Sequence, residues 1–200
     1  MSDYILQLQD ITKIFPGVKA LSEVTFSVQR GHVHALVGEN GAGKSTLIKV
    51  ICGVYPYGTY EGKVFFEGKE CKFKTIRDVE KAGIACIHQE MNLVPDMSIS
   101  ENIFLNNQPN RAGIINFDAM HERCLKLLQD VGLDVNPEEM VRNLGVGQQQ
   151  MVEIAKALAR DVKLLLLDEP TAALTEAEVD ILLELVDKLR QKGVTCIYIS

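Results

Sequence analysis

Residues 38–46 read GENGAGKST, placed between the strand-like run HVHALV and the apolar-periodic LIKVIC. This fits G-x-x-x-x-G-K-[ST] in the strand-to-helix setting where the pattern has a mechanism. Gly38, Gly41 and Gly43 let the backbone fold tightly, so successive N–H groups face phosphate oxygens. The helix that follows adds its positive end. Lys44 can reach the β- and γ-phosphates, and the Ser45 hydroxyl suits Mg²⁺. The whole stretch is the expected phosphate cradle: Gly38, Glu39, Asn40, Gly41, Ala42, Gly43, Lys44, Ser45 and Thr46.

A second group lies far along the chain. KLLLLDEP, residues 163–170, is an apolar run closed by two acids and a proline. Such a run suits a central parallel strand, and ligands sit at the carboxyl ends of such strands. Asp168 can then hold Mg²⁺, and Glu169 can act as general base on an attacking water. Two adjacent carboxylates would repel phosphate without a cation between them, so the pair itself implies Mg²⁺. Between the two groups stands LGVGQQQ, residues 144–150, followed by MVEIAKALA. Glycine is unfavourable inside helices and glutamine is not, which predicts a glycine-rich loop opening a helix whose N-terminus is left bare.

The elements that must position these residues follow from periodicity. YILQLQ, VTFSVQ and HVHALV predict short strands, with turns at Pro16-Gly17 and Arg30-Gly31. KVFFEGKE predicts a strand with a Glu-Gly turn, and GIACIHQ a buried strand. From Ser98 to Arg160 the period turns helical in SISENIFL, FDAMHERCLKLLQDVG and GQQQMVEIAKALAR. EAEVDILLELVDKLRQ predicts a further helix and VTCIYIS a last strand. The alternation predicts a parallel α/β core carrying a helical subdomain.

Composition narrows the classes. The 200 residues carry a net charge of −6, with 46% hydrophobic and 24% charged residues, as in ordinary globular proteins. An acidic balance speaks against a general nucleic-acid binder. No apolar run approaches the ~20 residues of a membrane span, and MSDYILQLQD does not read as a signal peptide, so a cytoplasmic protein is expected. The five cysteines form no C-x-x-C pair and are expected to be reduced, mostly buried thiols. His32 and His34 flank Val33 and are read as structural.

With LGVGQ in place, the sequence resembles the ATP-binding cassette (ABC) family, whose L-S-G-G-Q signature lies just upstream of the Walker B strand. Here it stands as Leu144, Gly145, Val146, Gly147 and Gln148. The resemblance spans the whole chain. It implies a RecA-like P-loop α/β core, an N-terminal antiparallel β subdomain and an inserted α-helical signature subdomain at about residues 98–160. It also implies ATP and Mg²⁺ as ligands. The signature helix would face the ATP held by a second ABC ATPase domain, a fused half or a dimer mate. Phe15, in KIFPGVKAL, matches the aromatic that stacks on adenine. Gln89, in IHQE, matches the glutamine that contacts Mg²⁺ and the attacking water.

GVYPYGTYEG, ENIFL, LGVGQQQMVEIAKAL and DEPTAALTE together look like the N-terminal ATPase half of bacterial monosaccharide importers, closest to the xylose and multiple-sugar branch. That likeness implies transmembrane permease subunits as partners and, indirectly, a periplasmic or extracellular sugar-binding protein. It implies a peripheral place on the cytoplasmic face of the membrane and no nucleic acid. Met91, Leu93, Val94 and Met97 are candidate contacts to the membrane subunits, or else packing of the helical subdomain. The family pattern places a histidine directly after Ser200, further core elements, and a second ATPase half beyond; a domain ending at residue 200 would be incomplete.

The sequence departs from the pattern at three points. Gly145 replaces the signature serine, Val146 replaces a glycine, and Thr175 stands where many relatives carry an aspartate that couples the two sites. A soluble ABC protein acting on DNA or ribosomes is the alternative. Chromosome-type members interrupt the motifs with long coiled coils, and here only about 100 residues without heptads separate GKST from LGVGQ. Translation-type members favour basic surfaces. A kinase or simple binding module would use the phosphate loop alone, and Glu169, Gln89 and the signature speak against it.

Overall fold

A computed structural model describes residues 3–88, 92–111, 114–171 and 174–200. They divide into two compact units, one of Met1–Cys86, Val162–Glu169 and Val186–Ser200, the other of Ile87–Asp161 and Pro170–Leu185.

The first unit holds two four-stranded sheets. One has the order β2-β1-β4-β5, from β1 (Tyr4–Phe15), β2 (Val18–Gln29), β4 (Glu61–Phe66) and β5 (Lys69–Cys71), and all its pairings are antiparallel. The expected turns at Pro16-Gly17 and at Glu67-Gly68 are present. β1 and β2 are longer than the short runs in the sequence suggest. Register shifts around Gln9 and Asp10 carry β1 on to Phe15, and Asp10 takes a left-handed φ of 53°. Such bulges break the alternation on which a strand reading relies.

The other sheet has the order β3-β10-β9-β6, from β3 (Val33–Leu36), β6 (Ile84–Ile87), β9 (Leu164–Asp168) and β10 (Thr195–Ile199). β10 pairs in parallel with both β3 and β9. Leu164, Leu165, Leu166 and Leu167 are each 0% exposed, as expected of a strand covered on both faces. α1 (Lys44–Ile51) buries Leu47, Ile48, Val50 and Ile51 in the same core as Leu6, Leu8, Leu164 and Leu166. α2 (Ile76–Ala82) is absent from the sequence reading; a Thr75–Asp78 capping box starts it and Val79 anchors it.

The second unit is helical. It contains α3 (Ile99–Ile103), α4 (Phe117–Asp130), a 3-10 turn over Val141–Asn143 and α5 (Val146–Leu158). α4 buries Met120, Cys124 and Leu128 at i, i+4, i+8 spacing. A two-stranded ribbon, β7 (Asn110–Arg111) with β8 (Ile114–Ile115), lies between the first two of the runs read as helical. α6 (Glu176–Gln191) begins in this unit and ends in the first. Thus the chain is α/β, with an antiparallel sheet, a parallel sheet and a separate helical unit.

Candidate functional site

β3 runs directly into the loop expected to cradle phosphate. Residues 38–42 are exposed, and the amide of Ala42 donates to the Glu39 carbonyl at 3.1 Å. Gly43 caps α1 with φ 92°, and a Cβ there would lie 2.6 Å from the Ala20 carbonyl oxygen. Only glycine meets both demands. Lys44 folds back over the loop, where its ammonium donates to the Gly38 carbonyl and, at 3.4 Å, to that of Glu39. The Ser45 side chain sits in an exposed position on the first turn of α1.

Asp168 closes β9, and Glu169 follows with a left-handed φ of 47°. That conformation costs a non-glycine residue roughly 1–2 kcal/mol and turns the chain sharply as it leaves the sheet. Two hydrogen bonds fix the neighbourhood. The Glu169 amide donates to the Ile199 carbonyl at 3.1 Å, and the Ser200 amide donates to the Leu36 carbonyl at 3.2 Å. The end of β10 therefore stands between the phosphate loop and the acid pair and is bonded to the strand of each. Cys52 ends α1 nearby. A hydrogen bond with Cys86, then burial, holds its thiol well above the usual range, and the Asp168 charge adds to this. Burial pushes Cys124 and Cys196 up to about 12. All five cysteines are reduced thiols; three are buried, and Cys71 and Cys86 are half-buried.

Phe15 ends β1, half-buried, with its ring edge-on to Tyr55 at 5.5 Å. The Lys13 ammonium lies 5.2 Å from the Phe15 ring centre and 4.8 Å from that of Tyr55. Neither Lys13 nor Tyr55 stands out in the sequence; the one available signal was KIF, which puts Lys13 and Phe15 on one strand face.

The signature residues lie in the helical unit. The expected glycine-rich loop is shorter than its two glycines suggest. Gly145 is the N-cap, and Val146 and Gly147 are already helical. The Gly145 amide donates to Gln148 Oε1 at 3.0 Å, and Gln149 Nε2 donates to the Leu144 carbonyl at 3.0 Å. Leu144 and Gly147 are buried; Gly145, Val146 and Gln148 are exposed at the helix start. Gln89 and Met91 lie outside the described residues. Of the other candidate membrane-subunit contacts, Val94 is exposed, and Leu93 and Met97 are half-buried. Asn102, in ENIFL, pins their loop: its side chain accepts from the Val94 amide at 2.7 Å and donates toward the Val94, Met97 and Ser98 carbonyls at 3.0, 3.3 and 3.0 Å.

The profile of the ABC transporter family matches residues 21–172. The chain belongs to the ABC transporter family. Over all 200 of its residues it is 60% identical to a protein named xylose import ATP-binding protein XylG from Moorella thermoacetica, covering 40% of that protein. It is 58% identical over 200 residues to L-arabinose transport ATP-binding protein AraG from Geobacillus stearothermophilus, covering 39% of it. The chain thus spans about two fifths of the length of these curated relatives. Among solved structures, the ADP conformation of MJ1267, an ATP-binding cassette of an ABC transporter, matches with a TM-score of 0.84 at 30% identity, over 100% of this chain and 82% of that one. The dimeric structure of MJ0796, a bacterial ABC transporter cassette, matches with a TM-score of 0.82 at 26% identity, over 98% and 87%. No helix among the described residues is long and apolar enough to cross a membrane.

Proposed function

We propose that this chain is an ATP-binding and ATP-hydrolysing motor domain that energises import of a monosaccharide, a pentose such as xylose or arabinose. The observation that carries the chemistry is the pair of loops leaving β3 and β9 on either side of β10. One presents backbone amides and Lys44, and the other presents Asp168 and Glu169. In this reading the loop of residues 38–46 holds the triphosphate, Lys44 exchanging its bonds to the loop carbonyls for phosphate oxygens. Phe15 stacks on the base. Glu169 accepts a proton from the water whose oxygen attacks the γ-phosphorus, and the bond to the ADP oxygen breaks. Gln89 helps to place that water.

The donors fit magnesium: the Ser45 hydroxyl and the Asp168 carboxylate are hard oxygen ligands, with Gln89 as a third, and Mg²⁺ takes few protein ligands beside water and phosphate. Among the described residues no cluster of three or more His, Cys, Asp or Glu offers an alternative cage. When bound, the ion would neutralise charge developing on the phosphates.

Leu144, Gly145, Val146, Gly147 and Gln148 would face the γ-phosphate of ATP in a second ATPase domain, which supports a two-domain sandwich. Closure would then drive transmembrane permease subunits at the cytoplasmic face of the membrane, with a sugar-binding protein delivering the sugar. The likeness to xylose and arabinose import proteins supports the substrate class. The test is uptake of labelled xylose and arabinose by cells carrying the full-length protein with its permease, against the same cells with Glu169→Gln. Uptake of either pentose that depends on Glu169 is expected; unchanged uptake with Glu169→Gln, or none with wild type, would overturn the reading.

A further inference from the structure

We propose that Lys13 is a positioning residue for nucleotide-base recognition, acting through Phe15; this rests on the reading that Phe15 stacks on the base. Lys13 is only 7% exposed. A buried ammonium is unfavourable unless its charge and donors are met. Among the described residues no carboxylate pairs with it. Its partners are instead the Thr59 carbonyl, to which it donates, and the rings of Phe15 and Tyr55. It fastens two aromatic rings to each other.

The fastening reaches the phosphate loop. The Tyr55 amide donates to the Lys49 carbonyl of α1 at 3.0 Å, and α1 is the helix that the loop opens. A continuous path therefore runs from Lys44, along α1, through Tyr55 and the Lys13 ammonium, to the Phe15 ring. The distance between base and triphosphate in a nucleotide is covalently limited. A ring and a loop on separate elements, the end of β1 and the start of α1, serve one ligand only if something sets their separation. The ammonium also draws on the π density of Phe15, which lessens the repulsion that disfavours face-to-face stacking with an electron-rich purine.

The test compares Mg-ATP with inorganic tripolyphosphate, which has no base, by equilibrium binding to the full chain. Lys13→Met is expected to weaken ATP binding by about 3- to 10-fold, a part of the worth of a desolvated cation–π contact, and to leave tripolyphosphate binding unchanged. Lys13→Arg should keep ATP affinity within about 2-fold, because guanidinium serves the same ring faces. The pair Lys13→Met with Phe15→Leu should be no weaker than Phe15→Leu alone, as for residues acting through one contact. Equal weakening toward both ligands in Lys13→Met would make the lysine merely structural and overturn the proposal. So would wild-type ATP affinity in Lys13→Met beside a weakened Phe15→Leu, an outcome that leaves Phe15 as the stacking residue. Unchanged ATP affinity in Phe15→Leu would remove the stacking reading itself.

Discussion

Glu178 occupies the space that a side chain at Gly147 would need: a Cβ built there falls 2.0 Å from Glu178 Oε1 and 2.3 Å from its Cδ. The carboxylate cannot simply swing away without loss. Glu178 Oε2 accepts from both the amide and the hydroxyl of Thr175, each at 2.9 Å, and the Glu178 amide returns a bond to Thr175 Oγ1 at 3.4 Å. Those hydrogen bonds hold the Glu178 carboxyl below the usual glutamate range, the backbone bond from Thr175 contributing most. Gly147→Ala should therefore push the Glu178 carboxylate off its bonds to Thr175 and forfeit at least part of the roughly 1 kcal/mol that alanine gains over glycine as a helix former. Adding Glu178→Ala should recover part of that loss. Chemical denaturation of the four variants checks this; strict additivity would mean that the two residues do not meet.

Lys44→Ala should raise the ATP dissociation constant by about 2–5 kcal/mol in free-energy terms, as for loss of a desolvated charge contact. Titration with a fluorescent ATP analogue reads it. Unchanged affinity would remove the phosphate loop from the proposed site.

Glu169→Gln should retain ATP binding and slow phosphate release by about 100-fold or more, the contribution of a general base. Single-turnover kinetics on the full-length protein separates the two steps. If turnover survives, another group accepts the proton.

Asn102→Ala should cost about 2–4 kcal/mol, because a buried amide is lost and the loop groups it served are left unpaired. A loss well under 1 kcal/mol by urea denaturation would show that the loop over Val94–Ser98 is held by other means.

Glu67 supplies a pH test. Its carboxylate accepts from Lys163 at 2.6 Å and from Arg30 at 3.2 Å, and the Lys163 bond leads in holding its pKa below the ordinary value. A depressed folded value stabilises above the unfolded value, about 4.3 for glutamate, and the gain disappears as pH falls through the folded one. The advantage of wild type over Glu67→Gln should be full at neutral pH, under about 1 kcal/mol for so exposed a pair, and should shrink below about pH 4. A gap that widens on acidification would reverse the sign.

The parts of this molecule that were legible in the sequence are those whose signal is local. Glycine spacing and Lys44 marked the loop between β3 and α1, and an unbroken leucine run located β9. What escaped depends on partners far along the chain. Val146 and Gly147 look like loop, yet they are helical, and Gly147 lies against a carboxylate at position 178. Lys13 reads as one more strand lysine until Thr59 and Tyr55 fold over it. The bulge at Asp10 hid the true length of β1, and α2 and the β7–β8 ribbon were too short to impose a period. Gln89, read from the family pattern, lies outside the described residues.

The left-handed backbone of Glu169 has a consequence for protein engineering. Glycine tolerates φ 47° without penalty, so Glu169→Gly releases local strain and should leave folding neutral or slightly improved. Under the proposed chemistry the same change removes the proton acceptor. A library screened only for heat tolerance would let position 169 drift toward glycine and accumulate stable, inactive motors. Only a screen on turnover would keep a glutamate there.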